Sequence, residues 1–174
     1  MTSPKILLLP QIRAFLEGIS PELIGMGLTI LVIDTSNMMM VHRQEKRRLA
    51  HQMGSPVHDV AIEAVRMLRA ENWGYGRDRT LVGADLSRAN LASADLQGFN
   101  LRAAKLNDTI LSMAKLQQAN LASANLKAAN LERADFSEAN LDSSILEDAD
   151  LCEAKLVKAS LKNATLCKAT LNDT

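Results

Sequence analysis

The chain has 174 residues, 47% hydrophobic but only 3% aromatic, with 20 basic and 20 acidic side chains and a net charge of zero. Residues 1–79 hold 10 bases and 8 acids (+2), and residues 80–174 hold 10 bases and 12 acids (−2). Neither half makes the strong one-sign field of a nucleic-acid binder, and too few rings are present for a base-stacking platform, so no nucleic-acid partner is expected.

Residues 1–19 form a first segment, with a short apolar run, Ile6 to Leu9, stopped by Pro10. The run is short for a signal peptide, and no small-residue cleavage site follows the next hydrophobic stretch, so a short interfacial helix is the plainer reading. Ser20-Pro21-Glu22 has the chemistry of a helix start, with an N-cap serine, proline at the first helical position and an acid in the first turn. It opens a second segment, 20–53. Within it Leu23 to Val41 carries a single charge, Asp34. At about 1.5 Å per residue that stretch is about 28 Å long, close to the thickness of a bilayer core.

Two readings of that stretch stay open. The basic run His42-Arg43-Gln44-Glu45-Lys46-Arg47-Arg48 suits the cytoplasmic flank of a membrane helix, which would leave everything after it in the cytoplasm. Against a span stand Asp34, Ser36 and Asn37, the aspartate alone costing about 2.5–3.5 kcal/mol near a helix centre. The alternative is a soluble cytoplasmic protein whose apolar helix packs in a homodimer or against the rest of the chain.

Residues 54–79 form a third segment. Gly54 ends the charged helix, and Ser55-Pro56 repeats the helix-start signal. Val57, Val60, Ala61, Ala64, Val65 and Leu68 come next at helical spacing, predicting an amphipathic helix to about Asn72. Trp73 and Tyr75 are placed to plug the near end of the segment that begins at residue 80, with Gly74 and Gly76 supplying the turn.

From residue 80 to 174 the pattern changes. A large apolar residue recurs at every fifth position from Leu81 to Leu171, without a break and with Phe136 as one of its members. Two residues before it stands a small one, usually alanine, and between them usually Asp or Asn, giving units of the form A(D/N)LXX. A period of five fits neither a helix nor an ordinary strand and marks a repeat architecture. If each unit makes one side of a square coil, four units close one turn, every Leu points to the axis, and the alanine is demanded where the tube is narrow. The segment is then an all-β solenoid of about five coils, with coils about 4.8 Å apart, and the amphipathic helix before it covers the open first coil.

These residues resemble the pentapeptide-repeat proteins, whose fold is a right-handed quadrilateral β-helix. Phe99, Thr109 and Ser144 depart from the small residue, and Ile110 and Ile145 from Asp/Asn. Phe99 falls in the first coil, where the tube end has room to widen. The stretches Glu22–Asp34, Arg43–Pro56 and Ala61–Trp73 are also similar to a membrane-anchored cyanobacterial subgroup of that family, which supplies no residue-level function.

Candidate chemistry is sparse. His42, His51 and His58 have no nucleophile or carboxylate at triad spacing and read as solvated residues. Cys152 and Cys167 each follow an inward Leu, face outward on different sides of the coil, and lack the spacing of a metal site or a disulfide. No catalytic, cofactor-binding or metal residue is assigned, and no enzyme is expected. On one face Asp95, Lys115, Asp135 and Lys155 alternate in sign and are expected to pair coil to coil. On another Asn100, Asn120, Asn140 and Ser160 form an expected polar ladder. Beyond Leu171 the sequence holds Asn172-Asp173-Thr174, so either these polar residues fold over the last coil or it stacks on a partner, most simply a second copy about a two-fold axis. Some members of the resembling family are DNA mimics that protect a topoisomerase, but Lys105, Lys127 and Lys158 dilute the field here. The function expected is a membrane-tethered, non-enzymatic scaffold or adaptor with an unknown protein partner. The alternatives are a subunit docking through its apolar helix and a DNA-mimic inhibitor.

Overall fold

A computed structural model describes residues 21–171, with side chains from residue 32 onward. The readings made for residues 1–20 and 172–174, and for the side chains of Leu23 to Leu31, lie outside the described residues. The chain divides into two compact units, Met1–Arg43 and Gln44–Thr174. Helix α1 (Pro21–Met53) contributes to both, and helix α2 (His58–Ala70) belongs to the second.

In the second unit the five-residue period winds a four-sided coil. Parallel bridges join Asp85 to Lys105, Asn90 to Ile110, Asp95 to Lys115 and Asn100 to Asn120, each residue to its counterpart four units on. The same register continues as far as the bridge between Asp150 and Thr170. The hydrogen bonding of one unit explains its closure. Leu86 N donates to Lys105 O at 2.8 Å, Arg88 N donates to Asn107 O at 3.0 Å, and Lys105 N donates back to Ala84 O at 2.9 Å. Ala89 N turns inward to Leu86 O at 3.1 Å and ends the side. The expectation of an all-β domain therefore needs correcting in one respect. Among the described residues the sides hold single bridging residues and no extended strand, because the turn from Leu to the next small residue takes four of every five positions.

That turn has a second requirement. The residue two after each Leu is left-handed: sixteen non-glycine residues from Arg88 to Lys168 have φ between 54° and 62°. Such a conformation costs about 1–2 kcal/mol for a side-chain-bearing residue. Here the N–H so aimed bonds the next coil, as Ser123 N does to Asp142 O at 2.8 Å, so the strain is offset by coil stacking.

The inward leucines from Leu81 to Leu151 are 0–1% exposed, as are most of the small residues beside them. Phe99 is fully buried in the small-residue column of the first complete turn. Its ring meets Tyr75 edge-on, with centroids 4.6 Å apart and planes at 83°, so the large residue sits where the tube meets the cap.

The cap is built from the end of α1 and from α2. Leu49 and Met53 of α1 and Ala61, Ala64, Val65 and Leu68 of α2 are buried and join the coil core. The backbone locks the two together, since Asn90 N donates to Ser55 O at 3.0 Å and Asn100 N to Gly74 O at 2.6 Å. Arg69 reaches the Asp95 carboxylate at 2.8 Å, and Lys46 reaches Asp78 at 2.6 Å while lying 5.2 Å from the Trp73 ring centroid.

Three details of the cap differ from the sequence reading. Helix α2 starts at His58 with Val57 as N-cap. The Ser55 hydroxyl accepts from Val57 N at 3.1 Å, so Ser55-Pro56 makes a turn before the helix instead of its first residues. Val57 and Val60 are 57% and 41% exposed, outside the buried stripe. Trp73 is only partly buried, and with Tyr75 it packs against a core in which Leu68, Met53 and Phe99 are fully buried. The helix stops at Ala70 because Asn72 takes a φ of 55° and Trp73 N donates to Leu68 O at 2.8 Å, a Schellman closure with asparagine in the glycine position.

In the first unit, Val32, Ile33, Met38, Met39, Met40 and Val41 are 52–63% exposed on α1. Among the described residues no helix is long and apolar enough to cross a membrane. A spanning helix over Leu23 to Val41 is therefore not supported. Over its described part, Asp34, Ser36 and Asn37 interrupt the apolar residues.

Candidate interaction surface

With leucine and alanine turned inward, each unit offers three outward positions: the residue before the Leu and the two after it. The first of these is largely committed to its own turn. The Oδ1 of Asn120, Asn130 and Asn140 accepts from the backbone N–H two residues on, at 3.1, 3.1 and 2.9 Å. Asp135 and Asp150 do the same at 2.9 and 3.0 Å. This local cap explains why the repeat asks for Asp or Asn there.

The same turn chemistry corrects the two predicted columns. The Asn100, Asn120, Asn140 and Ser160 ladder does not run coil to coil among the described hydrogen bonds. Asn100 Nδ2 donates instead to Gly76 O at 2.8 Å, and the Ser160 hydroxyl binds Asp142. In the alternating column, against the opposing effect of burial, Lys155 attracts Asp135 from the next coil and helps to lower its carboxyl, but the close contacts of the column's acids are made elsewhere. Asp95 is taken by Arg69, Asp135 accepts from Gln117 at 2.8 Å, and no described ion pair involves Lys115 or Lys155.

Pairing from coil to coil occurs mainly at the two positions after the Leu. Arg133 grips Glu153 through two bonds of 2.8 and 2.9 Å, Lys127 meets Glu147 at 3.1 Å, and Gln118 donates to Glu138 at 3.0 Å. Asp85 and Lys105, before the Leu, approach to 3.6 Å. The hydrogen bond from Arg133 holds the Glu153 carboxyl below its usual range, and that from Ser160 does the same for Asp142. In the cap, burial pushes the Asp78 carboxyl up, but the hydrogen bonds from Lys46 and Thr80 outweigh it and hold the group low. Exposed pairs of this kind contribute little each and are weakened by salt.

The residues considered for chemistry are scattered. His42, His51 and His58 are exposed, and His42 Nδ1 lies 2.8 Å from Met38 O of its own helix. Cys152 is partly buried and Cys167 exposed, and neither joins a disulfide. Among the described residues no three His, Cys, Asp or Glu side chains gather as a metal-holding group. Sequence reasoning missed a groove of about 370 Å³ on the outer side of the cap, between α1 and α2, lined by Leu49, Gln52, Val60, Ala64 and Met67 among others. The exposed Val60 and Met67, at the i and i+7 positions of α2, were the available signal.

Comparison with known proteins bears on the coil. The sequence profile described as pentapeptide repeats matches residues 84–121, 119–156 and 144–174, together just over half of the chain. No curated protein matches. Among solved structures the chain is similar to the pentapeptide repeat protein Rfr23 of the cyanobacterium Cyanothece 51142, with 38% identity and a TM-score of 0.51 over 52% of this chain and 63% of that one. It is also similar to a pentapeptide repeat protein of the Arabidopsis thaliana thylakoid lumen, with 33% identity and a TM-score of 0.50 over 51% of this chain and 62% of that one. The chain thus spans about six tenths of the length of these two relatives.

Proposed function

The chain belongs to the pentapeptide-repeat family, and from that premise we propose that it is a non-enzymatic scaffold whose coil presents outward side chains to a protein partner. The observation that carries this reading is the division of labour within the unit. Leu and the small residue fill the core, the residue before the Leu caps a turn, and the left-handed residue stacks coils. The remainder is a rigid outward array at a spacing of about 4.8 Å, a surface suited to recognition. The right-handed sense expected of the coil belongs to the same proposal.

The finer reading is a tether to a membrane through α1. It is supported by the six apolar side chains from Val32 to Val41 exposed to solvent and by Arg43, Arg47 and Arg48 just after them. Fractionation of cells with a carbonate wash tests the tether: the chain stays with membranes if it holds, and quantitative release into the soluble fraction overturns it. Binding tests the scaffold. A partner retained by the full chain should be lost when outward residues such as Lys115 and Lys155 are changed to glutamate with the circular dichroism unchanged. Retention by every such folded face variant would overturn it.

A further inference from the structure

We infer that Met38, Met39 and Met40 form an oxidation-sensitive switch that sets how strongly α1 holds to a lipid surface, an inference that rests on the tether proposed for α1. Between the polar step Asp34-Thr35-Ser36-Asn37 and the basic run that starts at His42, the helix has one apolar block, Met38-Met39-Met40-Val41. Three of its four side chains are thioethers, and they are 63%, 63% and 56% exposed. Successive residues turn about 100° around a helix, so the three methionines together cover most of its circumference. Whichever side of the block meets lipid therefore carries at least one of them.

The rest of the fold offers an oxidant little. Every large inward position of the coil from Leu81 to Leu171 is leucine or phenylalanine, and none is methionine. Met53, in the cap core, is 0% exposed. Beyond α1 the accessible methionines among the described residues are Met67 and Met113, and neither belongs to the core. A peroxide can thus alter the apolar block without touching the packing that holds coil and cap together. The step transfers one oxygen atom. A sulfur lone pair attacks a peroxide oxygen, the O–O bond breaks, and an S–O bond forms. The departing hydroxide takes the proton of the transferred hydroxyl and leaves as water. Sulfur is oxidised by two electrons and the peroxide is reduced by two. Each sulfoxide puts a polar S–O group where an apolar tip stood, and that group loses hydration on entering hydrocarbon. Three of them turn the block polar and favour the aqueous state.

The test floats the full chain with vesicles of equimolar zwitterionic and anionic phospholipid, before and after hydrogen peroxide. Mass spectrometry locates the sulfoxides, and circular dichroism checks the fold. The reduced chain is expected to float with the vesicles. Oxidation at Met38, Met39 and Met40, with Met53 spared, should lower its partition at least about tenfold. Methionine sulfoxide reductase should restore it. The triple variant Met38→Leu, Met39→Leu, Met40→Leu should bind before and after peroxide alike. Reduced wild type that stays off the vesicles overturns the tether, and the switch falls with it. Binding by reduced wild type that oxidation leaves unchanged, or that the triple variant loses as readily on oxidation, overturns the switch alone.

Discussion

Gly54 stands so close to Asp85 that a Cβ built on it would come 2.8 Å from the Asp85 carbonyl oxygen. The end of the capping helix is thus pressed backbone to backbone against the first coil, with Ser55 O taking the Asn90 N–H at 3.0 Å beside it. Gly54→Ala must move main chain on one side or the other and should cost about 1–3 kcal/mol. Gly98→Ala is the control. Gly98 has a φ of 72° and its nearest neighbour would be the Tyr75 ring at 3.5 Å, and equivalent positions in other units carry side chains. It should cost about 1 kcal/mol or less. Chemical denaturation of the two variants gives the order directly.

Inside the tube, Ser144 and Thr109 both replace the alanine of the repeat but differ in partners. The Thr109 hydroxyl donates to Leu86 O at 3.0 Å, whereas Ser144 Oγ is buried with no hydrogen-bond partner among the described residues. Ser144→Ala should stabilise the protein by about 1–2 kcal/mol, since it removes an unsatisfied polar atom. Thr109→Ala should destabilise it by about 1 kcal/mol, losing a satisfied bond and a methyl group. Thermal melts of the pair check the opposite signs.

How much of this was legible beforehand depends on the range of each interaction. The leucine ladder could be read because a period of five imposes one side per unit, and burial then results for Leu81 and Leu151 alike. The partners of Asn120 and Asp135 could not. Coil spacing suggested bonds from one coil to the next, but the backbone N–H two positions on is nearer and already held in place. Asp95 was read as part of a charge column, whereas its partner Arg69 comes from the cap, a contact no repeat register contains. The left-handed residue left almost no trace, because glycine occupies it only at Gly83 and Gly98 and coil stacking tolerates Arg88, Met113 or Glu138 there.

The turn cap yields a prediction of its own. Asn130→Ala removes the oxygen that accepts from Glu132 N at 3.1 Å and should cost about 1 kcal/mol. Ile145 occupies the same position with 38% of its surface exposed and no such oxygen. Ile145→Asn should therefore raise stability by about 0.5–1 kcal/mol, read as a shift in the urea midpoint.

The cap should also loosen in acid. The Asp78 carboxyl is lower in the folded protein than in the unfolded chain, held there by Lys46 and Thr80 against the opposing effect of burial. The unfolded state therefore binds the proton more readily. The stabilisation is complete above the ordinary carboxyl value of about 4 and is lost as the pH falls through the lower folded value. Asp78→Asn should lower stability at pH 7 and flatten its fall below about pH 4. Urea titrations of both proteins at several pH values make the comparison.

The scaffold reading is tested most directly by affinity purification of the tagged full chain from native membranes, with lysine-directed cross-linking to map the contacts. A recurrent protein partner cross-linked to coil residues such as Lys115, Lys127, Lys155 and Lys162 is the predicted result. A stable complex whose cross-links fall only before residue 80, leaving every coil lysine untouched, would contradict it.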